Sequence, residues 1–405
     1  MPDDPGLGRR QDRRADRGIR ERTGRGETSV STAVDGQITD RELDRLRGRL
    51  GEVVKVSEPP YLTEASFDAI RRWALATGDR NRLYHDPDYA ATTRFGSVIA
   101  PPCLPYALSR LSIGYRGGLP GVHSMFGGSH WKWFEPLPEG AKTSSETRFT
   151  DLIELSGQFS GRMFKQVSTT TFSNSSTGRP FAEIQGWGMR TERQSARKRG
   201  KYNDISTAKT SYDAAALTAI AEEYTAERPR GADVLHWNDV AVGAAVPSII
   251  RGPYSPTNAV AFEQAWGGLF IHAHGFWFDF LREHPAIGLS NAFGVPEPPE
   301  AVHWDGDLAR RAGVPDAYDY GPERISWLSV MLTNWIGDQG FIEELYTEIR
   351  GFNLMGDLSR CHGLVEGKTD PDQDGDGRVR VRIWITNQRD QTTAKGWAVV
   401  RLPAR

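Results

Sequence analysis

Apolar residues at three- and four-residue spacing, Phe67, Ile70, Trp73 and Ala74, predict an amphipathic helix. Thr63 or Ser66 caps it and Gly78 ends it. A second, mostly apolar run at 104–115 reads as a buried helix, and the pattern then turns to strands. Segments 143–150, 158–172 and 180–190 are rich in Thr, Val, Phe and Ile, with a turn at 174–178. The Trp-rich segment 128–134 also alternates as a strand does.

A polar, basic stretch over 191–203 reads as a connection, followed by a helix capped by Ser211 and running to about residue 227. From Val234 the order begins again. Trp237 and Gly243 open it, a helix spans 257–266, an apolar helix spans 325–335, and strands follow at 344–352, 363–367, 378–386 and 396–402. The loop from Gly313 to Gly321 parallels the loop at Arg94 and Gly96 in the first half. Helix, Gly-bearing loop, apolar helix and strands, met twice, predict an α+β chain built from one divergent unit used twice. The expected boundaries are a tail at 1–37, a first unit at 38–190, a linker with a helix at 191–233, and a second unit at 234–405.

The tail differs in kind, with eight arginines between Arg9 and Arg25 and almost nothing apolar. It is expected to be disordered, because it cannot bury enough surface to offset chain entropy. It has no apolar stretch of the kind a signal peptide carries. The composition of the whole chain is globular, 38% hydrophobic with a net charge of −2, and calls for neither nucleic acid nor a membrane surface. No run approaches the roughly 20 apolar residues of a membrane span. Cys103 and Cys361 are too isolated for a disulfide framework or a zinc site and read as packing residues. A cytoplasmic location is expected.

Just past the first helix, Gly78, Asp79, Asn81, Tyr84, His85 and Asp86 place an acid, an amide, a phenol and an imidazole in one turn. This block resembles the signature of the MaoC-like hydratase and dehydratase superfamily, Gly-Asp-x-Asn-Pro-x-His-x-Asp. Tyr84 stands in the histidine's place, Arg82 in the proline's, and His85 comes one residue late. In the second half His303, Asp305, Ala309 and Gly313 resemble the continuation of the same signature, with Pro298 where its aspartate is expected. The likeness covers nearly everything from residue 38 onward and marks the chain as similar to tandem members with a FAS1-like dehydratase N-terminal half. It implies a double hotdog, two antiparallel sheets each wrapping a central helix.

The resemblance also implies an activity: adding or removing water across an α,β-unsaturated acyl thioester, with a bulky acyl group carried on coenzyme A or an acyl carrier. Such chemistry needs a base, an acid, and donors for the charge on the thioester oxygen. Asp79, His85 and His303 are the candidate catalytic residues; Asn81, Tyr84 and Asp305 are candidates to support them or bind substrate. No metal or redox cofactor is expected. His272 and His274 read as packing, and the acidic run 370–376 reads as a hairpin turn, since Val381 stands where a calcium loop needs Glu. The expected partners are the thioester and either a second copy of the chain or a related MaoC-like subunit. The alternatives are a half-catalytic subunit that such a partner completes, and a hotdog thioesterase.

Overall fold

In a computed structural model of the chain the described residues are 36–56, 58–119, 121–155, 162–192, 210–285 and 287–405. The expected tail, except for residues 36 and 37, and most of the basic connection lie outside them. The described residues form one compact unit.

Strand alternation dictates the sheet. In β10 (Asp376–Asn387) the side chains of Val379, Val381, Ile383 and Ile385 are buried, while Arg378, Arg380 and Arg382 point the other way. Beside it run β1 (His123–Trp133), β2 (Thr143–Leu155), β3 (Met163–Asn174), β4 (Pro180–Thr191), β8 (Phe341–Ile349), β9 (Ser359–Thr369) and β11 (Thr392–Pro403). With β5 (Ala245–Arg251) they make one nine-stranded antiparallel sheet in the order β2-β3-β4-β1-β8-β11-β10-β9-β5. A small hairpin of β6 (Leu289–Ser290) and β7 (Pro296–Glu297) stands apart.

The sheets of the two halves therefore meet edge to edge, along β1 and β8, from Gly128 opposite Glu348 to Lys132 opposite Glu344. A side chain at Gly128, where φ is 140°, would lie 2.1 Å from the Thr347 carbonyl, so only glycine lets the edges close. Across the joint His130 and Glu344 pair at 2.8 Å.

Among the described residues the helices are α1 (Asp40–Arg47), α2 (Phe67–Thr77), α3 (Pro87–Ala91), α4 (Ala214–Ala226), α5 (Pro256–Trp266), α6 (His274–Glu283), α7 (Gly306–Arg311) and α8 (Gly321–Ile336). Every residue of α8 from Pro322 to Ile336 is buried, as expected of a central helix that a sheet wraps. The linker helix begins at Ala214, capped by Asp213 rather than Ser211. None of these helices is long and apolar enough to cross a membrane.

The helix expected over 104–115 is not there. A single tight turn spans Leu104–Leu108 and the chain then coils. The segment is as apolar as a buried helix, and the core does take it, with the Tyr106 hydroxyl on Ser129 at 2.7 Å. Ser112, however, turns its hydroxyl back onto the carbonyls of Tyr106 and Ser109. The coil lies flat on β4, where a side chain at Gly186 would come 2.4 Å from the Ser112 carbonyl. Among the described residues, a full central helix is present in the second half alone.

Candidate functional site

In the first half, Ser66 caps α2 through the Ala69 amide, and Gly78 ends it with a φ of 69°. The turn beyond is a relay of short side chains. Asp79 accepts from the Asn81 amide at 2.9 Å, Asn81 accepts from the Leu83 amide at 3.1 Å, and Asp86 caps α3 through the Tyr89 amide at 3.0 Å. Tyr84 is buried beneath Thr333 of α8, and burial pushes its hydroxyl well above the usual range.

The second half repeats this backbone. His303 ends the tight turn Pro299–His303, and Asp305 caps α7 by accepting from the amides of Asp307 and Leu308. The residue after Tyr84 has φ −148° and ψ 0°; the residue after His303 has −135° and −12°. Tyr84 and His303 are thus counterparts, each two residues ahead of a capping aspartate. By the same count Glu300 stands where Asn81 does.

The three candidate catalytic residues do not form one site. His85 is exposed on the surface. Asp79 is buried under an ion pair between Arg251 and Glu227, both 5% exposed and 2.8 Å apart. Arg251 also donates to the carbonyls of Thr77 and Gly78, closing the end of α2, and Asn334 donates to Glu227 at 3.0 Å. Burial, eased by the Asn81 amide and the Arg251 charge, raises Asp79 to about 7. No hydrogen bond or charge contact joins it to His303. Asp305 works as a helix cap. His272 stacks on Phe280, 3.6 Å from Glu58, and His274 is exposed. Cys103 and Cys361 are fully buried, with thiols pushed up to about 12. The acidic run is the turn between β9 and β10, tied by Asp372 to Arg378.

Around His303 the picture differs. Its Nδ1 lies 2.8 Å from the Tyr318 carbonyl, and its ring stacks on Tyr320 with centroids 3.8 Å apart. A carbonyl only accepts, so Nδ1 carries the hydrogen and Nε2 keeps a lone pair. Enclosing groups push the imidazole down to about 4, although part of its surface stays open to solvent. Tyr320 is wedged between His303, Phe262 and Trp266, and its hydroxyl lies by the Glu263 carboxyl of α5 without completing an aligned hydrogen bond. Glu300 accepts from the amides of Leu269 and Phe270 at 3.0 and 2.9 Å, leaving its other oxygen unpartnered. Arg116, from the first half, brings its charge towards Glu300 and Tyr318.

Buried polar atoms without partners are uncommon, since each one costs about 1–3 kcal/mol. Here they concentrate: both Glu263 oxygens, one oxygen of Glu300, the Tyr320 hydroxyl and Arg116 Nε. This cluster lies where Arg116 of the first half approaches the second, beside the amino end of α8. Sequence reasoning missed Glu263, Glu300, Tyr320 and Arg116. A signal for Glu263 was present, as it stands among Ala259, Phe262 and Trp266 on the apolar stripe of α5.

Residues 60–183 match the family model described as the FAS1-like, dehydratase domain region. Over 145 residues the chain is 28% identical to a UPF0336 protein of Thermobifida fusca (strain YX), covering 35% of this chain and 93% of that protein. In fold it is similar to a MaoC-like dehydratase, with a TM-score of 0.62 at 16% identity over 89% of this chain and all of the other. It is also similar to a conserved hypothetical protein of Mycobacterium tuberculosis with a double hotdog fold, with a TM-score of 0.53 at 13% identity over 87% of this chain and 96% of the other. The fold is a double hotdog, similar to that of a MaoC-like dehydratase, and the match to the FAS1-like dehydratase region falls in its first half.

Proposed function

We propose that the protein is a hydro-lyase that adds or removes water across the α,β double bond of an acyl thioester, with its chemistry at His303. The observation that supports this most is the imidazole itself, oriented by the Tyr318 carbonyl, neutral at working pH, and set among unpartnered polar groups at the seam. In the hydration direction the water oxygen bonds to the β-carbon and the water proton passes to Nε2 of His303. The α-carbon takes a proton from an acid, and charge building on the thioester oxygen is met by amides at the start of α8. Phe126 of β1 lies directly on Gly321, so the first half forms the wall opposite this helix end.

In this reading the first half is scaffold. Tyr84 replaces the imidazole with a phenol that stays protonated, and the pair of Arg251 and Glu227 fills the space beside Asp79. Asp79 and His85 then lie outside the chemistry, and both working parts come from one chain without a related subunit. The acyl group, carried on coenzyme A or a carrier protein, runs along the seam.

Purified full-length protein given trans-2-enoyl-CoA thioesters from crotonyl to dodecenoyl length tests this. The expected result is loss of the conjugated thioester's ultraviolet absorbance with a product heavier by one water, abolished in His303→Ala. Free thiol release with the double bond intact would identify a thioesterase instead. Turnover appearing only with a co-expressed MaoC-like subunit would identify a half-catalytic chain.

A further inference from the structure

The motif loop of the second half lacks the signature's aspartate: Pro298 stands at its place, Asp305 is spent on capping α7, and Glu300 is anchored through one oxygen by the amides of Leu269 and Phe270. Resting on the hydro-lyase reading, we propose that Glu263, carried by helix α5 and not by the motif loop, is the proton donor to the substrate's α-carbon.

Three observations point to this side chain. Both its oxygens are buried and, with only the Tyr320 hydroxyl beside them, make no aligned hydrogen bond, whereas Glu300 has one oxygen fixed by two amides and Asp79 is tied into a separate network. Tyr320 joins the two ends of the reaction, because one of its faces carries the His303 ring while its hydroxyl lies at Glu263. Space is also reserved for the carboxyl, since a side chain at Gly268 would come 2.5 Å from Glu263 Oε2. Burial and the like charge of Glu300 raise Glu263 to about 8, against the pull of the Tyr320 hydroxyl. The acid is therefore protonated at neutral pH.

The step balances. The π electrons form the new C–H bond with the Glu263 proton, the water oxygen forms the C–O bond at the β-carbon, and His303 takes the water proton. Glu263 regains a proton from solvent as His303 releases one. The titrating and charged groups facing Glu263 are Tyr320 and Glu300, with Arg116 against Glu300 and His303 against Tyr320.

The test uses the full-length protein with crotonyl-CoA and trans-2-dodecenoyl-CoA. Glu263→Gln is expected to lower kcat about 100-fold or more, with KM changed less than about threefold, the scale of a lost general acid. The wild-type fall in kcat/KM above about pH 8 should vanish in this variant and persist, at reduced rate, in Glu263→Asp. If Glu263→Gln stays within about fivefold of wild type with its alkaline limb intact while His303→Ala is dead, the donor is another group. Should the variants not fold, the wild type decides alone: a profile flat from about pH 7 to 9 overturns the assignment. Wild type inert on both thioesters removes the hydro-lyase reading, and the donor with it.

Discussion

At the scale of single residues, two buried titratable groups oppose each other. His303 is lowered from 6.5 to about 4, so the unfolded chain binds more protons between those values. Its contribution is complete above pH 6.5 and lost as pH falls towards 4. Asp79 is raised from 3.8 to about 7, so here the folded chain binds more protons, and its contribution is present below pH 4 and lost as pH rises through 7. Urea unfolding at several pH values should separate them. His303→Gln is expected to flatten the acid side, narrowing the loss of stability between about pH 6.5 and 4. Asp79→Asn keeps the acceptor for the Asn81 amide and should raise the midpoint at pH 8 while leaving it unchanged near pH 4. An equal effect of Asp79→Asn at both pH values would show that its carboxyl is not the group that burial strains.

At the scale of elements, the ion pair of Arg251 and Glu227 ties β5, the end of α2, the chain after α4 and the last turn of α8 together. A buried pair is costly to break from one side, because the survivor stays uncompensated. Arg251→Met should therefore cost about 3–5 kcal/mol in urea unfolding, and Arg251→Met with Glu227→Leu should recover most of it. A double variant as unstable as the single one would show that the carbonyls of Thr77 and Gly78, and not the charge, hold this corner. What was legible among the elements follows from how local each one is. The period of β10 and the capped stripe of α2 are local facts, and both appear in the folded chain. Coiling at 104–115 is not local: it depends on Gly186, some seventy residues away, which lets the backbone lie flat on the sheet. The site divides the same way. His303 and Asp305 were readable as a motif, whereas Tyr320 and Arg116 come beside His303, and Glu263 beside Tyr320, only when α5, the loop before α8 and the first half converge.

At the scale of the molecule, two copies of one plan have taken different courses, and the difference lies in more than one residue. If the first half had lost its chemistry only by exchanging imidazole for phenol, Tyr84→His would restore a working site, since the backbone at 84 matches that at 303. The surroundings argue otherwise. Asp79 lies beside Arg251 and Glu227, the counterpart of Glu300 is a neutral Asn81 that holds the turn, and the central helix that would present amides is a coil after Leu108. In a His303→Ala background, Tyr84→His is therefore expected to leave hydration of trans-2-enoyl-CoA at the level of His303→Ala alone, although the protein folds. Recovery of even about a hundredth of wild-type turnover, well above the background of a site lacking its base, would mean that the first half keeps a usable oxyanion site and acid. Asp79 would then regain a catalytic assignment. The expected silence would instead place the cause in the filled space around Asp79 and the missing helix, which no single substitution rebuilds.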